Sequence, residues 1–62
     1  MKKFEYKVVS IDRKGMNSVL DIDEMETLLT GEGLIGWEVI NTFDNLVNKK
    51  LALCFLMKRE IE

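Results

Sequence analysis

The sequence has no histidine, no proline and only one cysteine among its 62 residues. A single cysteine excludes an intramolecular disulfide, and without histidine it cannot complete the N and S ligands of a tetrahedral zinc site. Histidine is also the side chain that enzymes use most often for proton transfer. Cys54 lies in an apolar segment with no base beside it, which favours packing over nucleophilic chemistry. We therefore expect no catalytic residue, no metal and no cofactor, in a protein that is not an enzyme.

Long apolar runs are missing as well. None approaches the ~20 residues of a membrane-spanning helix, and the charged N-terminus lacks the apolar segment of a signal peptide. A composition that is 47% hydrophobic and has no low-complexity tract indicates a folded chain. We expect one domain over residues 1–62, without membrane contact, in the reducing cytoplasm.

The small size of the chain predicts self-association. A domain of this length buries only roughly 60% of its unfolded surface. Such domains usually add a disulfide, a metal or an oligomer interface. Because the composition excludes the first two, we expect a homodimer or a larger homo-oligomer.

Three segments have the character of strands. The first covers residues 4–11, the second 37–43 and the third 50–59, which is apolar on both faces. Alternation predicts one face of the second strand with Trp37, Val39 and Phe43. It predicts the other face with Glu38, Ile40 and Thr42. Turn-forming residues at 44–45 and 48–49 favour a hairpin loop of several residues.

The segment after the first strand predicts a helix. Residues 12–20 form an irregular, mobile connection in this prediction, and Asp21 is the N-cap, with Glu24 completing a capping box. One helix face carries Ile22, Met25, Leu28 and Leu29. We expect the helix to end at Gly33, since Leu34 would then contact Leu29 as in a Schellman motif.

The order β-α-β-β predicts an α+β fold with a three-stranded antiparallel sheet, strand order 1-3-2, and one helix on one face. A right-handed β-α-β crossover leaves a position for the last strand between the other two, and a strand that is apolar on both faces belongs there. A single helix cannot cover the second sheet face, which marks a candidate interface. Its predicted residues are Val9, Ile11, Ile40, Cys54 and Leu56.

Charge divides unevenly along the chain. Residues 17–36 hold five acids and no base, whereas the remainder holds nine bases and six acids. The lysines of the first strand alternate with acids, and no basic patch is interleaved with aromatic residues as single-strand binders require. The net charge of −2 also argues against a nucleic-acid partner.

Two short motifs carry a family resemblance. Residues 5–9 read Glu-Tyr-Lys-Val-Val, and residues 33–38 fit the pattern Gly-x-x-Gly-Trp-Glu. With a Leu-rich helix and a Lys-Arg ending at residues 58–59, the chain resembles a small bacterial and phage family of unknown function. The resemblance implies the fold and a bacterial or mobile-element origin, and it implies no catalytic residue. Where the family often has an acid before Gly-Trp, this chain has Ile35.

These observations leave three hypotheses of function. The first is an interaction module, a homo-oligomer that binds a cellular protein, with a phage accessory or inhibitor role by analogy. Its candidate binding surface is Ile35, Trp37 and Glu38. The second is a small-molecule or nucleotide binder with a pocket between subunits near Trp37. The third is nucleic-acid binding through the basic strands.

Overall fold

The computed structural model describes residues 1–15 and 19–61, with Val47 described by its backbone alone. The elements are β1 (Lys3–Asp12), α1 (Ile22–Leu34), β2 (Glu38–Val47) and β3 (Lys50–Ile61). Both outer strands pair antiparallel with β3, in the order β1-β3-β2. The predicted α+β fold, with its strand order and its one helix, is confirmed.

The core lies between α1 and one face of the sheet. Ile11, Phe55 and Met57 are buried there. Around them pack the partly buried side chains of Val9, Leu20, Met25, Leu28, Leu29, Trp37 and Leu53. Full burial of one such large side chain stabilises the fold by about 1.5–3 kcal/mol. None of the residues of α1 is fully buried, so the helix covers the sheet only thinly.

The strand register corrects the placement of Val9 and Ile11. Val9 lies opposite Phe55, and Ile11 opposite Leu53, so both belong to the face that α1 covers. The prediction that they lie on the uncovered face was wrong. Val8 and Val9 are both apolar, so the alternation along β1 did not say which of its two faces meets the helix.

Asp21 is the N-cap of α1, as predicted, but the C-terminus of the helix is not where it was predicted. The Asp21 side chain accepts a hydrogen bond from the Glu24 amide at 3.1 Å. At the other end, the amides of Trp37 and Gly36 donate to the carbonyls of Glu32 and Gly33, each at 3.0 Å. This Schellman pattern places Gly36, with φ 95°, in the left-handed position. The stop predicted at Gly33 was wrong, because Gly33 is helical and the turn needs its glycine three residues later.

A β-bulge at Ile40 changes the faces of β2. The register shifts between Val39 and Asn41. One extra residue exchanges the faces of everything after it: Thr42 lies opposite Phe55, and Phe43 lies opposite Cys54. Phe43 therefore belongs to the uncovered face, and the predicted grouping of Phe43 with Val39 was wrong.

The β2–β3 hairpin is tighter than predicted. Asn48 and Lys49 have φ values of 52° and 64°, and Val47 pairs with Lys50. Two consecutive positive φ values identify a two-residue type I′ turn. Asp44 and Asn45, assigned to the loop from sequence, are strand residues.

The connection between β1 and α1 is closed at its ends by a small bridge. The amides and carbonyls of Lys14 and Val19 exchange hydrogen bonds of 2.8 and 2.9 Å. The middle of the predicted irregular connection, residues 16–18, lies outside the described residues.

Candidate functional site

At the Trp37 junction, between the end of α1 and the start of β2, two cationic side chains lie against the indole ring. Lys7 Nζ lies 4.4 Å and Arg59 Cζ 4.6 Å from the ring centroid. Cations at this distance are attracted by the ring quadrupole, by about 0.5–1 kcal/mol at exposed sites and more when desolvated. Trp37 itself is half-buried against the core.

Arg59 ties the junction to the end of the helix. Its guanidinium donates to the Ile35 carbonyl and to Glu5 Oε1, each at 3.2 Å. A cation at a helix C-terminus is favourable because the last carbonyls carry partial negative charge. A side chain at Gly36 would begin 3.2 Å from Arg59 Cδ, so glycine here provides both the left-handed turn and room for Arg59.

The other charged residues of the two sequence motifs are also paired. Lys7 forms an ion pair with Glu32 on α1. Lys58 Nζ lies 3.6 Å from Glu38 and 4.9 Å from the centroid of the Phe4 ring. The motifs thus meet in space and brace the first strand, the helix end and the last strand against one another.

The predicted binding surface is only partly open. Ile35 is 57% exposed beside the 82% exposed Leu34, and Glu38 is exposed, whereas the ring of Trp37 is engaged by two cations. Sequence reasoning missed the roles of Lys7 and Arg59. The Lys-Arg ending was visible as part of the family pattern, but only the antiparallel register brings residue 59 beside residues 5 and 37.

The uncovered sheet face, called here the open face, is apolar. Cys54 and Leu56 lie on it as predicted from their place in β3, and their neighbours across the strands are Ser10, Phe43, Val8 and Asn41. Tyr6 is 61% exposed, Val8 56% and Phe43 37%. Ile40 is also exposed, at the bulge. Tyr6, Val8 and Phe43 were not among the predicted interface residues, because the faces of β1 and β2 were assigned with the wrong phase.

Few other features of the described residues suggest a ligand. A shallow, open depression on α1 is lined by Glu26, Thr27, Thr30, Gly31 and Leu34. Between residues 1–15 and 19–61, no group of three or more acidic or cysteine side chains is placed to hold a metal ion. Nor does that part of the chain contain a helix with the length and apolar character needed to cross a membrane.

Fold and junction together define a small α+β domain, in which one helix is locked onto an antiparallel three-stranded sheet through a tryptophan and its flanking cations. The chain belongs to the family described as a domain of unknown function, DUF4177, whose model matches residues 4–60. No curated protein and no solved structure is significantly similar to it.

Proposed function

We propose that this chain is a cytoplasmic, non-enzymatic interaction module that associates with itself and binds a cellular protein. The observation that carries the proposal is the open face, where Tyr6, Val8 and Phe43 stay exposed around Leu56. Apolar patches of this kind on small domains are characteristic of protein interfaces.

The occupant of the open face is a second copy of the chain. A standard interface buries about 800 Å² per partner, about one sixth of the 4834 Å² of accessible surface here. Three strands of ten or more residues present a face of roughly 33 Å by 15 Å, a flat area of about 500 Å² to which the relief of the side chains adds. A sheet face packs readily on its own copy across a two-fold axis.

Charges at one end of the open face favour this arrangement. Lys58 is paired with Glu38, and Lys2 lies 3.9 Å from Glu60. These pairs nearly neutralise that end of the face, so two copies can approach without strong like-charge repulsion.

The Trp37 junction supports a protein as the further partner. Leu34 and Ile35 form an exposed apolar step at the helix end, next to the acidic Glu38. The cations at Trp37 are matched by Glu5 and Glu32, which disfavours a role for them in holding phosphates of a nucleotide or a nucleic acid. By analogy, we further propose that the protein has a bacterial or phage origin. In this proposal it uses this surface to occlude a host protein.

The test is a charge placed on the open face. Leu56→Lys is expected to dissociate the contact between open faces and so to reduce the size of the oligomer, as measured by sedimentation velocity over a concentration series. Leu34→Lys, on the exposed helix end, is the matched control and is expected to leave assembly unchanged. Assembly that is unchanged in folded Leu56→Lys protein, or a wild-type chain that is monomeric at all concentrations, contradicts the proposal.

A further inference from the structure

The two outer edges of the sheet differ in how their backbone groups are satisfied. Along β2, the two-residue turn makes Val47 and Lys50 a hydrogen-bonded pair, and bonded and non-bonded pairs alternate from there. Thr42 and Leu46 therefore direct their amides away from β3. Each donates to the Oδ1 of the preceding asparagine, Asn41 or Asn45, at 2.9 Å.

This makes β2 a blocked edge. An incoming strand needs the outward amides as donors, and at Thr42 and Leu46 these are already used by side chains of their own strand. The bulge at Ile40 interrupts the same edge further. Both features are devices that prevent edge-to-edge pairing.

The edge of β1 has neither device. The Arg13 amide donates to the Leu51 carbonyl at 3.4 Å, so these two residues form a hydrogen-bonded pair, two positions beyond Ile11 and Leu53. Because bonded and non-bonded pairs alternate along an antiparallel ladder, the odd-numbered residues of β1 are the ones that bond to β3. The outward backbone groups therefore belong to Phe4, Tyr6, Val8 and Ser10. Among residues 1–15 and 19–61, no side chain or backbone group caps them.

We propose that the free edge of β1 pairs antiparallel with β1 of a second copy, centred on Tyr6. The pairing joins the two sheets into one continuous sheet and merges the two open faces into a single apolar surface. It deepens the proposed function, since it adds an edge contact to self-association through the open face.

The register follows from charge. In a symmetric pair centred on Tyr6, Glu5 lies opposite Lys7 of the second copy, and this contact occurs twice. Centres at Glu5 or Lys7 place like charges directly opposite, which is destabilising. A centre at Val8 places Glu5 opposite Ile11, with no charge match.

The apolar residues fit the same register. On the open face, Phe4 lies opposite Val8 of the second copy, and the two Tyr6 rings are cross-strand neighbours. Such aromatic pairs are among the favourable cross-strand contacts. Lysines commonly protect an edge from pairing, but here Lys7 meets a carboxylate in the opposing strand.

The decisive experiment mixes two charge variants, E5K and K7E. Each alone places like charges across the β1 edge, whereas the mixed dimer has an opposite-charge pair at both positions. We expect the mixed dimer to be on the order of tenfold tighter than either homodimer, as measured by native mass spectrometry and sedimentation at low salt. Each variant carries its own intramolecular losses into both kinds of dimer, so a defect in folding does not produce this preference.

The control mixture is E26K with K50E, which makes the same changes in charge on α1 and at the start of β3. It is expected to show no preference for the mixed dimer. An E5K and K7E mixture with no preference, or a control mixture with the same preference, overturns the proposed edge pairing. Leu56→Lys reports on the open face separately, so the failure of one contact is distinguishable from the failure of the other.

Amide hydrogen exchange in the unaltered chain gives a second measurement. The amides of Tyr6 and Val8 are expected to slow at least severalfold as protein concentration rises. Those of Thr42 and Leu46 are expected to keep the same rate. Exchange at Tyr6 and Val8 that is independent of concentration, in samples that do associate, contradicts the proposal.

Discussion

The two faces of β3 are similarly apolar in sequence but differ in what buries them. On the covered face, Phe55 and Met57 are bulky and lie beneath α1, with 3% and 1% of their surface exposed. On the open face, Ala52 and Cys54 are equally inaccessible, although none of the described helices or strands lies over them. Both are small side chains of the central strand, flanked on β1 by Ser10 and Asp12 and on β2 by Phe43 and Asn45. Burial on the open face therefore reflects side-chain size, and its larger side chains remain exposed to solvent.

The largest expected effect is at the covered face. Met57→Ala is expected to destabilise the fold by about 2–5 kcal/mol, because it removes a fully buried side chain and leaves a cavity. Leu56→Ala, one residue along and on the opposite face, is expected to cost clearly less in the monomer, since part of that side chain is already exposed. Urea unfolding of both variants at low concentration makes the comparison.

Equal losses at the two positions in dilute, monomeric protein contradict this difference between the faces. If the loss of unfolding free energy caused by Leu56→Ala instead grows with protein concentration, the additional loss reflects association. The same pair of variants thus also separates folding from assembly.

The junction that closes the covered face is expected to show a smaller effect. Gly36→Ala forces an alanine into a φ of 95°, with its Cβ 3.2 Å from Arg59 Cδ. We expect a loss of about 1–2 kcal/mol, since left-handed conformations cost about that much for a residue with Cβ. Thermal or urea unfolding measures the loss.

Gly33→Ala is the matched control for this prediction. Gly33 is helical, and nothing lies within 4 Å of the position its Cβ would take. Alanine there is expected to stabilise the fold by about 0.5–1 kcal/mol. Since both changes have the same effect on the unfolded chain, opposite signs locate the helix stop at Gly36. A Gly33→Ala loss as large as that of Gly36→Ala would restore the sequence-based assignment.

The sequence was sufficient for the order of elements and the central position of β3, because these depend on apolar pattern and on chain connectivity. The N-cap at Asp21 was also predictable, since it depends on residues three apart. Face assignments failed where the pattern was ambiguous or interrupted. Val8 and Val9 permit either phase, and the bulge at Ile40 has no local signal such as glycine.

The junction could be predicted only in part. Trp37 and the glycine pattern marked a turn, but which glycine turns the chain depends on where the helical hydrogen bonds end. The cations at the ring come from residues 7 and 59, which are far from Trp37 in sequence. Their meeting depends on the register of β1 and β3, which neither composition nor spacing determines.

The smallest expected effect lies outside both faces, where the entry to the helix is linked to the end of β1. Lys14 Nζ is 3.1 Å from Glu24. The hydrogen bond to Glu24, and then the charge of that carboxylate, raise the pKa of Lys14 above its ordinary 10.5. Because the pKa is raised in the folded state, the stabilisation is fully present below 10.5 and is lost as pH rises through the folded-state pKa.

Lys14→Gln is therefore expected to lower the melting temperature slightly at neutral pH and low salt. The decrease should be smaller than that caused by Met57→Ala or by Gly36→Ala. The difference from the unaltered chain should shrink with added salt, since both side chains are exposed, and disappear at pH well above 10.5. Lys50→Gln, an exposed change without an ion pair among the described residues, controls for the loss of one positive charge. If the melting temperature of Lys14→Gln alone stays lowered by the same amount at high pH, the effect belongs to packing at the Lys14–Val19 bridge rather than to charge.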